Sequence, residues 1–301
     1  MRVPDEFRQC VVFVGLPAQR LDGQLETIFR GTAFFAGIES ETVKGISYIY
    51  LVTAKHVATK LEGQPFMVRI NTIDGGSRLI QGQGAKWWYH PNDEAVDVAV
   101  IPYAPDQTKF EYKMIPTSMF LTDAILQEIS IGTGDEVFIT GLFAHLTGSA
   151  KNLPIVRIGN IAMMPGELVP TTEFGDIEAY LIEARSIGGL SGSPVFVNWV
   201  GVGVNKLFLL GLIHGHWDIP PQNKNDMIRL DDDRYGSVNM GIAIVVPSKK
   251  ILEVINQPEL VKLRKRQDEI KRKETLAVPD NQMKTNQNQG ANEETNSGTT
   301  S

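Results

Sequence analysis

Arg185-Ser-Ile-Gly-Gly-Leu-Ser-Gly-Ser-Pro-Val-Phe196 is a turn-rich loop that runs into an apolar strand. A serine that acts as a nucleophile needs backbone that exposes its Oγ and aims N–H groups at a developing oxyanion. Gly188, Gly189 and Gly192 permit the close approach and unusual φ values such a nest requires, and Ser191 sits in its middle. Pro194 closes the turn, and the residues from Val195 to Val197 read as a buried strand that holds the loop. Taken alone, the stretch reads as a Gly/Ser surface turn rather than a catalytic loop.

Two other stretches change that reading. Tyr48-Ile-Tyr-Leu-Val-Thr-Ala-Lys-His-Val57 reads as an apolar strand ending in a histidine, upstream of a serine loop that lacks a base. In Ala95-Val-Asp-Val-Ala-Val-Ile-Pro102, Asp97 interrupts an otherwise apolar strand. A buried carboxylate is costly unless something hydrogen-bonds it, and an imidazole N–H is the natural partner. Asp97 would then fix the tautomer of His56, His56 would take the proton of Ser191, and Ser191 would attack. Two rivals stand beside these residues. Ser193 is a second hydroxyl in the loop, and Asp93 lies in Pro91-Asn-Asp-Glu94, a turn signature where a solvated carboxylate is expected.

With the order His56, Asp97, Ser191, and with Thr53-Ala-Lys-His56, Asp97-Val-Ala-Val100 and Gly189-Leu-Ser-Gly-Ser-Pro194, the chain resembles the chymotrypsin-like (trypsin-fold) serine peptidases. The run from Gly188 to Phe196 looks most like the bacterial glutamyl-endopeptidase and HtrA-type branch, over residues 10–250. The resemblance implies an all-β fold of two six-stranded antiparallel barrels, with the site in the cleft between them. It implies a serine endopeptidase acting on a protein or peptide through an acyl-enzyme, with Gly189 and Ser191 N–H groups as oxyanion hole. It places Arg185, Ser186, His214 and the segment near Gly241 at the primary specificity pocket, where basic and hydroxyl groups favour an acidic P1 side chain. Leu190 stands where zymogen-activated members carry an aspartate, so control by a conformational gate or a regulatory protein partner is expected, with residues 217–237 and the C-terminal helix as candidates. The alternative is a catalytically silent module of the same fold that binds a partner protein. An α/β-hydrolase fits poorly: its elbow is Gly-x-Ser-x-Gly, whereas Ser193 occupies the last glycine position here, and alternating helices are missing.

A length of 301 residues suffices for a substantial core. Apolar content of 42% and charged content of 21% are those of an ordinary globular protein, and a net charge of -6 argues against general nucleic-acid affinity. The single cysteine, Cys10, excludes an intrachain disulfide and fits a reducing compartment. No apolar run long enough to span a membrane occurs, so the expectation is a cytoplasmic protein without membrane partners. No cofactor and no metal are expected: His214-Gly-His216 offers two imidazoles without a third ligand in view.

In chain order, strands are expected at 9–15, 31–37, 46–57, 66–71, 85–90 and 96–103, forming barrel one within residues 5–110. A helix at 117–128 would share the face of Phe120, Leu121, Ala124 and Ile125. Barrel two, at 130–247, would use strands at 135–141, 154–164, 178–183, 194–200, 208–214 and 240–246. The peptidase domain thus spans 1–250, and a helical extension follows over 248–275. Ser248 is expected as its N-cap, Ile251, Leu252 and Ile255 as its buried face, and Pro258 as an interruption. The densely charged run at 259–273 reads as a solvated helix, and 276–301 as a disordered tail.

Overall fold

In a computed structural model the described residues are 2–20, 22–82, 84–184, 189–219 and 238–277. The N-terminal half contains helix α1 (Glu6–Gln9) and strands β1 (Val11–Gln19), β2 (Leu25–Glu39) and β3 (Ser47–Thr53). Helix α2 (Lys55–Leu61) follows, then β4 (Met67–Asn71), β5 (Ser77–Gln81), β6 (Trp88–Tyr89), β7 (Ala99–Pro102) and β8 (Ile115–Pro116). These strands make one eight-stranded sheet in the order β5-β4-β1-β2-β3-β7-β6, with β8 paired in parallel to β2.

The expected first barrel is therefore an open sheet among the described residues. Its edge strands β5 and β6 do not pair. β6 is only two residues long, and β5 is the polar run Ser-Arg-Leu-Ile-Gln, which the hydrophobic pattern missed. Side chains span the gap instead: Phe66 fills the space at Gly82, just past β5, and its ring lies 5.6 Å from Trp87, just ahead of β6. The strand expected at 46–57 also ends early, at Thr53, and gives way to α2.

The second half carries helix α3 (Asp123–Glu128), β9 (Glu136–Gly141), β10 (Ile155–Met163) and a small hairpin of β11 (Val169–Thr171) and β12 (Gly175–Ile177). It continues with β13 (Tyr180–Glu183), β14 (Pro194–Gly201), β15 (Val204–Ile219) and β16 (Val238–Pro247). A closed barrel forms in the order β10-β13-β16-β15-β14-β9. Its six strands are the six expected from sequence. Alternating side chains such as Val137, Ile139, Val195, Val197 and Val245 are fully buried inside it. The helix expected at 117–128 is shorter. Thr122 caps α3 by accepting the Ile125 N–H, whereas Phe120 and Leu121 lie outside it, buried in extended backbone that bonds to Leu209 on β15.

Two helices complete the described chain, α4 (Ser248–Ile255) and α5 (Pro258–Ala277). α4 buries Ile251, Val254 and Ile255. Pro247, not Ser248, is its N-cap, and the Ser248 hydroxyl donates instead to the Leu121 carbonyl at 2.9 Å. Pro258 begins α5 rather than breaking it, since its missing N–H lies among the unpaired amides of a first turn. α5 is not simply solvated. Arg264 donates to the Tyr50 hydroxyl and the Ile255 carbonyl, each at 2.7 Å, and Asp268 accepts from Ser40, Thr42 and Tyr48, so the helix is strapped across β3. The expected disordered tail lies almost wholly outside the described residues. No helix among them is long and apolar enough to cross a membrane.

The halves meet through specific contacts. The part-buried Arg69 on β4 donates to the carbonyls of Gly148 and Ser149, while Asn152 donates to the Arg69 carbonyl. Phe7 on α1 packs edge-on against Phe138 and Phe196 of the barrel, with centroids 5.6 and 4.7 Å away. These contacts fix the cleft in which β3, β7 and the Ser191 loop converge.

Candidate active site

His56 owes its place to the break after β3. Ala54 takes the N-cap position of α2 and its carbonyl accepts the Val57 and Ala58 N–H groups, but it has no side-chain acceptor to offer the His56 amide. Asp97 supplies one from a distance: its Oδ1 accepts the His56 backbone N–H at 2.9 Å. Its Oδ2 lies 2.8 Å from His56 Nδ1. Asp97 is therefore a cap for the helix and a partner for the ring on that helix. The residue is not within a strand as expected. It sits in the segment just ahead of β7 and is fully buried.

A third group reaches the same carboxylate. His214 Nδ1 lies 2.6 Å from Asp97 Oδ2. Burial opposes ionisation of Asp97 most strongly, but the hydrogen bonds from His214 and His56 outweigh it and hold the carboxyl well below its usual range. An ionised carboxylate only accepts, so both rings carry a proton on Nδ1, and in the neutral ring of His56 the lone pair is on Nε2. That is the tautomer a general base requires.

Ser191 belongs to a loop braced by the other half of the molecule. Its carbonyl accepts the Thr32 N–H at 3.0 Å, and the Thr32 hydroxyl donates to the Gly189 carbonyl at 2.9 Å while accepting the Leu142 N–H at 2.8 Å. Gly192 has φ +81°, and a Cβ there would lie 2.3 Å from the Thr32 carbonyl and 2.4 Å from the Thr53 hydroxyl. Only glycine fits. Gly189 has φ +98°, and among the described residues no acceptor pairs with its amide or with that of Ser191.

The Ser191 hydroxyl donates to the His214 carbonyl at 3.3 Å, and among the described residues no hydrogen bond joins it to His56. The two rival residues behave differently. Ser193 is fully buried with an unpartnered hydroxyl packed over Gly141, so no substrate reaches it. Asp93 accepts the Ala95 N–H in an exposed turn. Leu190 is fully buried in the barrel core, where an aspartate would be costly.

No family model matches the chain. No curated protein matches it either. Among solved structures it is similar to the HtrA-type protease AlgW with decapeptide, at 18% identity and a TM-score of 0.48, over 83% of this chain and 64% of that one. It is also similar to Deg5, at 16% identity and a TM-score of 0.44, over 82% of this chain and 88% of that one. The chain thus spans less than two thirds of the AlgW chain. At these values its architecture rests on its own strand order.

Of the residues expected at the specificity pocket, Arg185 and Ser186 lie outside the described residues. Gly241 has φ +78°, and among the described residues nothing lies within 4 Å of where its Cβ would be. His214, expected at or near that pocket, has its ring turned to Asp97. The metal question moves with it. The ligand atoms of His56, Asp97 and His214, rather than the His214 and His216 pair, lie within 4.8 Å of one another. The Asp97 separations of 2.6 and 2.8 Å are hydrogen-bond distances, shorter than the roughly 3.3 Å between ligand atoms around a tetrahedral zinc. The trio is a hydrogen-bonded unit. Sequence reasoning also missed the roles of Thr32, which carries no motif, and of Thr53, which was quoted only as the start of the motif ending in His56; both act through backbone partners in the folded chain.

Proposed function

We propose that this protein is a serine endopeptidase of chymotrypsin-like architecture that cleaves peptide bonds through an acyl-enzyme intermediate. The observation that supports this reading is the His56–Asp97 pair. One buried carboxylate takes both the backbone N–H and the Nδ1–H of His56, leaving Nε2 as base beside a loop whose accessible hydroxyl, among the described residues, is that of Ser191. In the proposed reaction Ser191 Oγ bonds to the substrate carbonyl carbon as its proton passes to His56 Nε2. The amides of Gly189 and Ser191 take the oxyanion, each worth about 3 kcal/mol of barrier in sites of this kind. The C–N bond then breaks, with His56 returning the proton to the leaving amine, and water repeats the cycle on the acyl-enzyme.

Engagement of His56 requires the Ser191 hydroxyl to leave the His214 carbonyl, and this favours a resting state released by substrate or a regulatory partner. The same observation favours a second reading, a catalytically silent module that binds a protein in its cleft. An acidic P1 preference and a reducing, cytoplasmic setting complete the first reading.

Labelling by a fluorophosphonate probe separates the two. Covalent labelling of the purified protein, abolished by Ser191→Ala and retained by Ser193→Ala, is the expected result. Absence of labelling with and without peptide substrates, or loss with Ser193→Ala alone, overturns the peptidase reading. A peptide panel varied at P1 then reports whether Glu and Asp are preferred.

A further inference from the structure

His214 sits at a fault in its strand. β15 and β16 pair Ile213 with Val245 and Gly215 with Ile244, so His214 is the extra residue of a β-bulge. A bulge breaks the alternation of side chains and re-aims the one it displaces. Here the displaced ring lies against His56 on one side and Phe174, from the turn of the β11–β12 hairpin, on the other, with centroids 5.6 and 5.8 Å away at near-perpendicular angles. The ring is largely buried between them, and its strong polar contact is the 2.6 Å bond to Asp97 Oδ2.

Asp97 Oδ2 therefore serves two rings, and of the two bonds that from His214 is the shorter. Without His214, the carboxylate would retain, among the described residues, the two donors of His56, one on each oxygen, and Oδ2 would be held by one ring instead of two. The main chain of His214 acts on the other reacting group, since its carbonyl accepts the Ser191 hydroxyl. One residue thus touches both the group that orients the base and the nucleophile.

We propose that His214 is a positioning residue of the site: its Nδ1–H locks the Asp97 carboxylate that orients His56, and its carbonyl sets the resting rotamer of Ser191. What it positions rests on the peptidase reading. The hydrogen-bond arrangement itself does not. The unit is then Ser191, His56, Asp97 and His214, with a single carboxylate oxygen shared by two imidazoles.

The test pairs His214→Leu, which removes the donor at similar volume, with His214→Asn, whose side-chain amide N–H falls near the position of Nδ1. The first readout is the low-field proton spectrum of ring N–H groups with 15N-labelled histidine, which needs no activity. Two carboxylate-bonded Nδ1–H resonances are expected in the wild type. One should disappear in each variant, and the His56 resonance should move further downfield in His214→Leu as it gains sole use of Oδ2, with His214→Asn restoring its wild-type position. The second readout is the fluorophosphonate labelling rate, expected to fall about 10- to 100-fold in His214→Leu, the effect of one hydrogen bond to a buried charge, and to recover by at least half of that loss in His214→Asn. A single low-field resonance in the wild type, or a His56 resonance unmoved in His214→Leu, overturns the proposal. Equal labelling losses in Leu and Asn also overturn it. A wild type that shows both resonances and never labels refutes the peptidase reading while leaving the shared carboxylate intact.

Discussion

Replacing Asp97 by Asn tests the site most directly, because the hydrogen-bond pattern decides which way the amide must turn. Oδ1 of Asp97 faces a backbone N–H, that of His56, which has no alternative tautomer, whereas Oδ2 faces two ring nitrogens that do. With the amide oxygen at the Oδ2 position, its NH2 would meet the His56 backbone N–H about 2.9 Å away, leaving two buried donors unpaired. Each unpaired donor costs about 1–3 kcal/mol, so this orientation is disfavoured by roughly 2–6 kcal/mol. With the oxygen at the Oδ1 position, every group is satisfied: the backbone amide keeps its acceptor, and the two N–H bonds of the introduced side chain point at the two Nδ1 atoms. Both rings must then surrender the Nδ1 proton and carry it on Nε2. His56 loses its basic lone pair, and restoring the productive tautomer costs the same two unpaired donors. The expected outcome is a fall in fluorophosphonate labelling rate of about 10²- to 10⁴-fold, with a change in unfolding free energy below about 2 kcal/mol by urea denaturation. Labelling within tenfold of wild type in a folded Asp97→Asn protein would refute the tautomer argument and, with it, the assignment of Asp97.

Three further outcomes follow from the same geometry. Gly192→Ala places a Cβ 2.3 Å from the Thr32 carbonyl at φ +81°, so it should abolish labelling and lower stability by more than about 2 kcal/mol. Gly45→Ala, at φ +80° with open space around it, is the control, expected to cost about 1 kcal/mol from backbone strain alone; equal costs would show that the clash at Gly192 carries no energy of its own. Thr32→Val keeps shape but leaves the Gly189 carbonyl and the Leu142 N–H without their shared hydroxyl, for a loss of about 1–3 kcal/mol in denaturation and a slower labelling rate; unchanged labelling would show that the brace does not reach the nucleophile. The folded Asp97 carboxyl lies below its unfolded value of about 4, so its stabilisation is complete above about pH 4 and is lost as the pH falls further. The stability gap between wild type and Asp97→Asn should therefore move in favour of the variant between pH 5 and pH 2, and a gap independent of pH there would contradict an ionised buried Asp97.

The barrel of the second half was legible because most of its strands contain a short apolar run, as in Val137 to Ile139, Val195 to Val197 and Ile242 to Val246, and closure buries side chains such as Val137, Ile139, Val195, Val197 and Val245. The pairing of His56 with Asp97 was legible for a related reason, since a carboxylate among Val96, Val98 and Val100 needs a donor and the chain offers few. What was hidden depends on contacts between distant segments. The run from Tyr48 to Val57 reads as one apolar strand, and the acceptor that Asp97 supplies to the His56 amide, from 41 residues away, helps to start the seven-residue helix after Ala54. A helix this short is unstable by itself, so no local propensity announces it. β5 was missed because it is an exposed edge strand, held by main-chain bonds to β4 rather than by burial of its side chains. His214 shows the limit most clearly. Strand periodicity says which residues alternate, but a bulge arises from the register of two strands, here between Ile213 and Gly215 opposite Val245 and Ile244, and no residue type marks it. The resemblance placed His214 at or near a pocket from its membership of the strand Leu210 to Trp217 alone. The extra residue turns the ring toward Asp97, and the same displacement presents the His214 carbonyl to Ser191. A one-residue irregularity in β15 thus sets the surroundings of both the base and the nucleophile, so a change that removed the bulge would disturb the site without altering Ser191, His56 or Asp97.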